Sequence, residues 1–199
     1  MIYMLDTNQD YDKCADELGV YPDFVGQLIT PLTRRRNRMR KDFGIDNGAF
    51  SKFDEQKFLN ELRKQTPYRE SCRFVASPDV VCDAPATLRN FHAWKARLSD
   101  WPISFVLQDG VQSRDVPWYE IASIFIGGSD RFKDSKVVEE CIGIAKELGH
   151  WIHVGRVNGC WRMERFEHLK SDSVDGTGIA RYTKSRKDLA KHRGDTFLF

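Results

Sequence analysis

The feature that most restricts the fold of this chain is its alternation of short apolar runs with stretches of helical periodicity, joined by connections of only a few residues. Residues 2–5, 73–77, 103–107, 123–126 and 151–154 read as strands. Between them residues 54–64, 86–98, 136–148 and 160–169 read as helices. In the first, Phe58, Leu59 and Leu62 recur at helical spacing behind the N-cap Asp54. Residues 11–18 and 115–122 read as short helices. Residues 27–33 read as an edge strand or a loop because of Pro31, and further strands end at Asp46 and Asp175. Strands that alternate with helices over short connections pair in parallel with right-handed crossovers. Seven or eight such strands predict a single α/β domain spanning residues 1–199, a TIM-like (β/α)8 barrel. Such barrels have about 250 residues, so this one is expected to be compact or incomplete.

On a barrel, the residues that follow the strands share one rim, and here they are glycines and polar groups. They are Asp46-Asn47-Gly48, Pro78-Asp79, Gln108-Asp109-Gly110, Gly127-Gly128-Ser129, Gly155-Arg156 and Asp175-Gly176-Thr177. Any one of them is ordinary turn chemistry. Six at strand ends predict a site. Asp46 and Asp175, one early and one late, become neighbours when the sheet closes, and two carboxylates facing one bond suggest glycosidic chemistry.

Charge points to a partner. The formal balance is only +2, yet Arg34, Arg35, Arg36 and Arg38 fall in one basic run at residues 34–41, and a second runs over residues 181–193. Clusters of this kind either stay solvated or converge on phosphates. The five cysteines are scattered without a CxxC pair, against a disulfide framework or a structural zinc site. His150 and His153 bracket a strand at a spacing that sends them to opposite faces, so no metal is expected. Cys82 and Cys160 read as buried structural thiols. No stretch approaches the roughly 20 apolar residues of a membrane span, and the start is unlike a signal peptide, so an intracellular, cytoplasmic protein is expected.

In their order, the rim motifs resemble the tRNA-guanine transglycosylase superfamily, including the phage and bacterial relatives that insert 7-deazaguanines into DNA. The resemblance covers roughly residues 30–181. Asp46 in Asp46-Asn47-Gly48-Ala49-Phe50 matches the general acid/base of that family's DSGGF-like motif. Asp79, seven residues before Ala86, matches the acid that binds the base edge. Gln108 and the backbone of Gly127 and Gly128 match further base contacts, with Asn47 beside the first acid. Asp175 matches the nucleophile, and Arg181, six residues on, an arginine that holds the nucleic acid. Arg156 lies on the same rim.

The chain departs from the pattern in instructive places. The family's carboxy-terminal zinc motif is missing, which points away from tRNA and towards the DNA-directed branch, in a bacterium or a virus that infects one, and weakly towards a monomer. Asn47 stands for a serine, Asp109 for a glycine and Ser129 for a leucine. The resemblance implies base exchange on DNA through a covalent Asp175–sugar intermediate, with a free 7-deazaguanine-type base as second substrate and no cofactor. With water as acceptor the same residues make a DNA glycosylase. A binding protein that has lost its chemistry, a metal-dependent barrel hydrolase and a phosphate cradle at Gly127-Gly128-Ser129 are the competing readings. Because a stacked base must be flipped out, Phe50, Trp118 and Tyr182 are candidate aromatic walls.

Overall fold

The computed structural model of the chain describes residues 1–6, 25–33 and 42–176. Eight parallel strands follow one another in chain order around a closed barrel. They are β1 (Ile2–Asp6), β2 (Val25–Ile29), β3 (Phe43–Ile45), β4 (Cys72–Ala76), β5 (Ile103–Leu107), β6 (Ser123–Ile126), β7 (Trp151–Val154) and β8 (Ser173–Asp175). β8 pairs with β1, setting Asp175 opposite Met4, and the ring has no free edge. The chain is an α/β barrel of the TIM type. Its economy lies in strands of three to five residues, so the barrel is compact and also complete.

The described helices are α1 (Glu55–Gln65), α2 (Ala84–Trp94), α3 (Asp130–Lys133), α4 (Lys136–Glu147) and α5 (Cys160–His168). Asp54 starts α1 by accepting from the Lys57 amide at 3.0 Å, and Asp83 starts α2 by accepting from Ala86 at 2.9 Å. Helical spacing then puts Phe58 and Leu62 of α1, and Val138, Cys141, Ile142 and Ala145 of α4, on single buried faces. These faces pack on the outward residues of the strands, such as Ile29, Ile45, Leu107, Ile126 and Val154, to form the larger core. Each fully buried Leu, Ile or Phe contributes about 1.5–3 kcal/mol.

A second, smaller core fills the barrel itself: Met4, Leu28, Phe74, Ala76, Val106 and Phe125. Its centre is the Phe74 ring, which lies against Gly44 so closely that a Cβ there would overlap it. A bulkier residue on β3 would leave no room for the ring.

Three local expectations are corrected. The strand expected within residues 27–33 is Val25–Ile29, and Pro31, with no N–H to give a ladder, begins the turn after it. Residues 115–122 form two separate 3-10 turns, Ser113–Asp115 and Trp118–Glu120, because Pro117 interrupts the backbone donors between them. The short α3 was not expected; it is nucleated by Ser129, whose hydroxyl accepts from the Phe132 amide at 3.2 Å. The helix expected at 11–18, the basic runs at 34–41 and 181–193, and Tyr182 lie outside the described residues. No described helix is long and apolar enough to cross a membrane.

Candidate active site

Strand parity decides which rim residues look into the barrel. Side chains two residues apart share a face, so Asp46 follows Gly44 inward, Gln108 follows Val106, and Asp175 follows Ser173. Gly127 and Gly155 continue the inward rows of Phe125 and His153. These ends surround a cavity of about 420 Å³, the size of a small-ligand site. Asp46, Asn47, Asp79, Gln108, Arg156 and Asp175 all line it, as do Gly127 and Gly128. Arg34, Arg35, Arg36, Arg38 and Arg181 lie outside the described residues.

Asp175 sits at the end of β8 with both carboxylate oxygens engaged. The Arg156 amide donates to Oδ1 at 2.9 Å and His153 Nε2 lies 3.0 Å from Oδ2. Its own carbonyl accepts from the Val157 amide at 2.6 Å, which ties the strand end to the next loop. Arg156 reaches this position in the left-handed region, at φ 57°, a conformation that costs a side-chain-bearing residue about 1–2 kcal/mol. The glycine before it is needed for space, since a Cβ on Gly155 would come within 2.6 Å of the Phe125 ring.

Asp46 follows β3 and is partly open to the cavity. The Gly48 amide donates to its Oδ1 at 3.0 Å. Burial pushes this carboxyl up to about 7; the Gly48 N–H opposes the shift, and the charges of Asp175 and Asp79 add to it. It holds a proton at pH values where an ordinary aspartate has lost one. Burial likewise raises Asp79, against the hydrogen bonds it receives from Asn47 and Gln108.

Asp79 is the hub of the third group. Asn47 Nδ2 donates to Oδ1 at 2.7 Å and Gln108 Nε2 donates to Oδ2 at 2.6 Å. Asn47 also donates to the Ser77 carbonyl and accepts from the Ala49 amide, each at 2.7 Å. Both its amide hydrogens and its oxygen are therefore engaged within the protein, and it braces Asp79. Gln108 accepts from the Cys82 amide at 2.9 Å and lines the cavity beside Asp79.

Two of the departures noted in the sequence are partners. Asp109 accepts from both the amide and the hydroxyl of Ser129, at 2.7 and 2.5 Å. The pair fixes the Gly127–Gly128 turn, where a Cβ on Gly127 would stand 2.9 Å from Gln108 Nε2.

Across the mouth, the Arg156 guanidinium lies over the Phe50 ring at 4.4 Å and donates to the Gly128 carbonyl at 2.6 Å. Phe50 comes from the loop after β3 and Arg156 from the loop after β7, on opposite sides of an eight-stranded ring.

Trp118 is not a wall of this cavity. Its ring stacks on His150 and packs against the outer core, with Nε1 donating to the Ser113 carbonyl at 2.9 Å. It precedes β6 (Ser123–Ile126) and so lies towards the strand starts, away from the rim. Cys82 is exposed, not buried, in a turn at φ 61°. Among the described residues, no group of three or more His, Cys, Asp or Glu is placed to hold a metal ion.

Sequence reasoning weighed His153 only as a metal ligand and missed its place beside Asp175. His153 was available as an ionisable side chain on the inward parity of β7, paired in register with Ser173 of β8, two residues before Asp175.

No known family model matches the chain, and no curated protein matches it. Among solved structures, the PaMucR phosphodiesterase in complex with c-di-GMP aligns with a TM-score of 0.41 and 13% identity, over 70% of this chain and 61% of that one.

Proposed function

We propose that this chain cleaves the N-glycosidic bond of a nucleotide in DNA and passes the sugar from the departing base to a free base of the 7-deazaguanine type. The observation that carries the proposal is the contrast between two carboxylates at one cavity. Asp175 is held at both oxygens, by the Arg156 amide and against His153 Nε2, while burial pushes the Asp46 carboxyl up to about 7. Environments that separate two acids in this way assign one the nucleophile's role and the other the proton's.

In the first half-reaction an Asp175 oxygen bonds to the anomeric carbon as the carbon–nitrogen bond breaks. The bond's electron pair leaves with the base, whose nitrogen takes the proton of Asp46. In the second, the ionised Asp46 removes a proton from the incoming base. Its nitrogen then bonds to the anomeric carbon, and the ester breaks to restore Asp175. Asp79 and Gln108 offer acceptors and a donor to the base edge, and the Gly127–Gly128 backbone lies beside them. With water in place of the incoming base, the same steps leave an abasic site.

The test is mass spectrometry of nucleosides and abasic sites after incubation with DNA, with and without free 7-deazaguanine bases. Exchange of label into DNA supports base transfer, and abasic sites alone make the protein a glycosylase. Asp175→Ala should lower either activity by about 10³-fold or more and abolish an enzyme–DNA adduct stable to denaturant. An unchanged rate in that variant would sink the proposal. Arg34, Arg35, Arg36 and Arg38 are proposed to meet phosphates. Replacing all four by glutamate should flatten the dependence of log affinity on log salt by about 0.7–0.9 per lost contact.

A further inference from the structure

We infer that His153 is the positioning residue for Asp175, and that Trp151 and Ser173 support its Nε2–H tautomer from the floor of the barrel. The inference rests on Asp175 being the nucleophile.

His153 is completely buried, with Phe74 and Phe125 at centroid distances of 4.4 and 4.7 Å. Its two nitrogens are its polar contacts: Nε2 lies 3.0 Å from Asp175 Oδ2 and Nδ1 lies 2.8 Å from Ser173 Oγ. Ser173 Oγ in turn lies 2.9 Å from Trp151 Nε1. An indole nitrogen can only donate. Ser173 must therefore accept from Trp151, and its hydroxyl proton and its second lone pair both remain for His153 Nδ1. The other end of the row is the Asp175 carboxylate, which can only accept, so Nε2 carries a proton, and a neutral ring then accepts at Nδ1 from Ser173. The direction of every bond in the row follows from its two ends, a donor-only indole and an acceptor-only carboxylate.

The row matters because Asp175 must present one oxygen to the anomeric carbon at a set angle. The Arg156 amide holds Oδ1 from the loop above, and the imidazole holds Oδ2 from below. Together they stop rotation about the carboxylate bond. The ring itself cannot shift, for it is boxed between two aromatic rings inside a closed barrel.

A packing role and a hydrogen-bonding role predict opposite rankings of two substitutions. His153→Phe keeps a ring among Phe74 and Phe125 and loses the donor. His153→Gln sacrifices ring packing and keeps an N–H near the Nε2 position. With a DNA oligonucleotide substrate, the single-turnover rate should fall about 10- to 100-fold in His153→Phe. It should stay within about fivefold of the parent in His153→Gln, with the DNA dissociation constant unchanged in both. Ser173→Ala, the milder change, should give an intermediate loss.

Nitrogen-15 NMR of the imidazoles reads the same row without substrate. His153, assigned by its absence from His153→Gln, should show protonated Nε2 and unprotonated Nδ1, and Ser173→Ala should mix the two tautomers. If the histidine variants fail to fold, the Ser173→Ala rate and spectrum carry the test. A proton on Nδ1 alone, or a His153→Phe rate above that of His153→Gln, overturns the inference. Asp175→Ala run alongside separates the two ideas. If it is active the nucleophile is wrong, and if it is dead while His153→Phe matches the parent, only the positioning role is wrong.

Discussion

At Asp46, stability and chemistry pull against each other. Its carboxyl is held at about 7 in the folded chain against roughly 3.9 in an unfolded one. The folded state therefore binds the proton more tightly. That contribution to stability is complete below about pH 4 and is lost as pH rises towards 7, beyond which a charge must be kept in a poorly solvated place. Asn cannot ionise and retains the Oδ1 acceptor for the Gly48 amide. Asp46→Asn should leave the melting temperature unchanged near pH 4 and raise it by about 3 °C at pH 8, as thermal denaturation at the two pH values will show. The same variant should lower base release by about 10²- to 10⁴-fold. In the parent, the proposed mechanism has the rate of base departure fall as pH rises through 7, because in it the acid form of Asp46 supplies the leaving group's proton.

The elements set how tightly the barrel floor is built. β3 faces the interior at Gly44, and the Phe74 ring of β4 occupies the space that a side chain would need. Gly44→Ala should cost about 1–3 kcal/mol, measured by chemical denaturation. Adding Phe74→Leu should recover part of the loss, since the two positions share one volume and their effects will not add. The short β3 also explains why Asp46 is well placed: three strand residues leave no slack between the packed ring below and the cavity above. In the same way, the Asp109–Ser129 hydrogen bonds tie the end of β5 to the end of β6.

At the scale of the whole molecule, closure of the ring creates contacts that no single element contains. The Arg156–Phe50 contact spans the mouth between loops on opposite sides and roofs the cavity. A guanidinium over a partly exposed ring is worth about 0.5–1 kcal/mol. Phe50→Ala should therefore raise the Michaelis constant for the free base by about two- to fivefold with a smaller change in turnover, in steady-state kinetics with DNA saturating. Equal losses in both constants would show that Phe50 does more than cover the bound base.

Much of this was decided locally. The alternation of apolar runs and helical faces, the N-caps Asp54 and Asp83, and the inward parity of Asp46, Gln108 and Asp175 are properties of short stretches. They depend on dihedral preference and side-chain period, which the sequence determines by itself. Other features depended on what closure brought together. The pairing of β8 with β1 made a complete ring of a chain short enough to have been incomplete. Register between β7 and β8 placed His153 under Asp175, and the approach of β3, β4 and β5 engaged Asn47 within the protein. The raised carboxyl of Asp46 comes from burial and from two acids distant in sequence, and solvation and charge are fields of the assembled molecule. For that reason the acids and glycines that line the cavity were legible in the sequence, while the pairing of His153 with Asp175, the raised carboxyl of Asp46 and the place of Trp118 were decided by the tertiary structure alone.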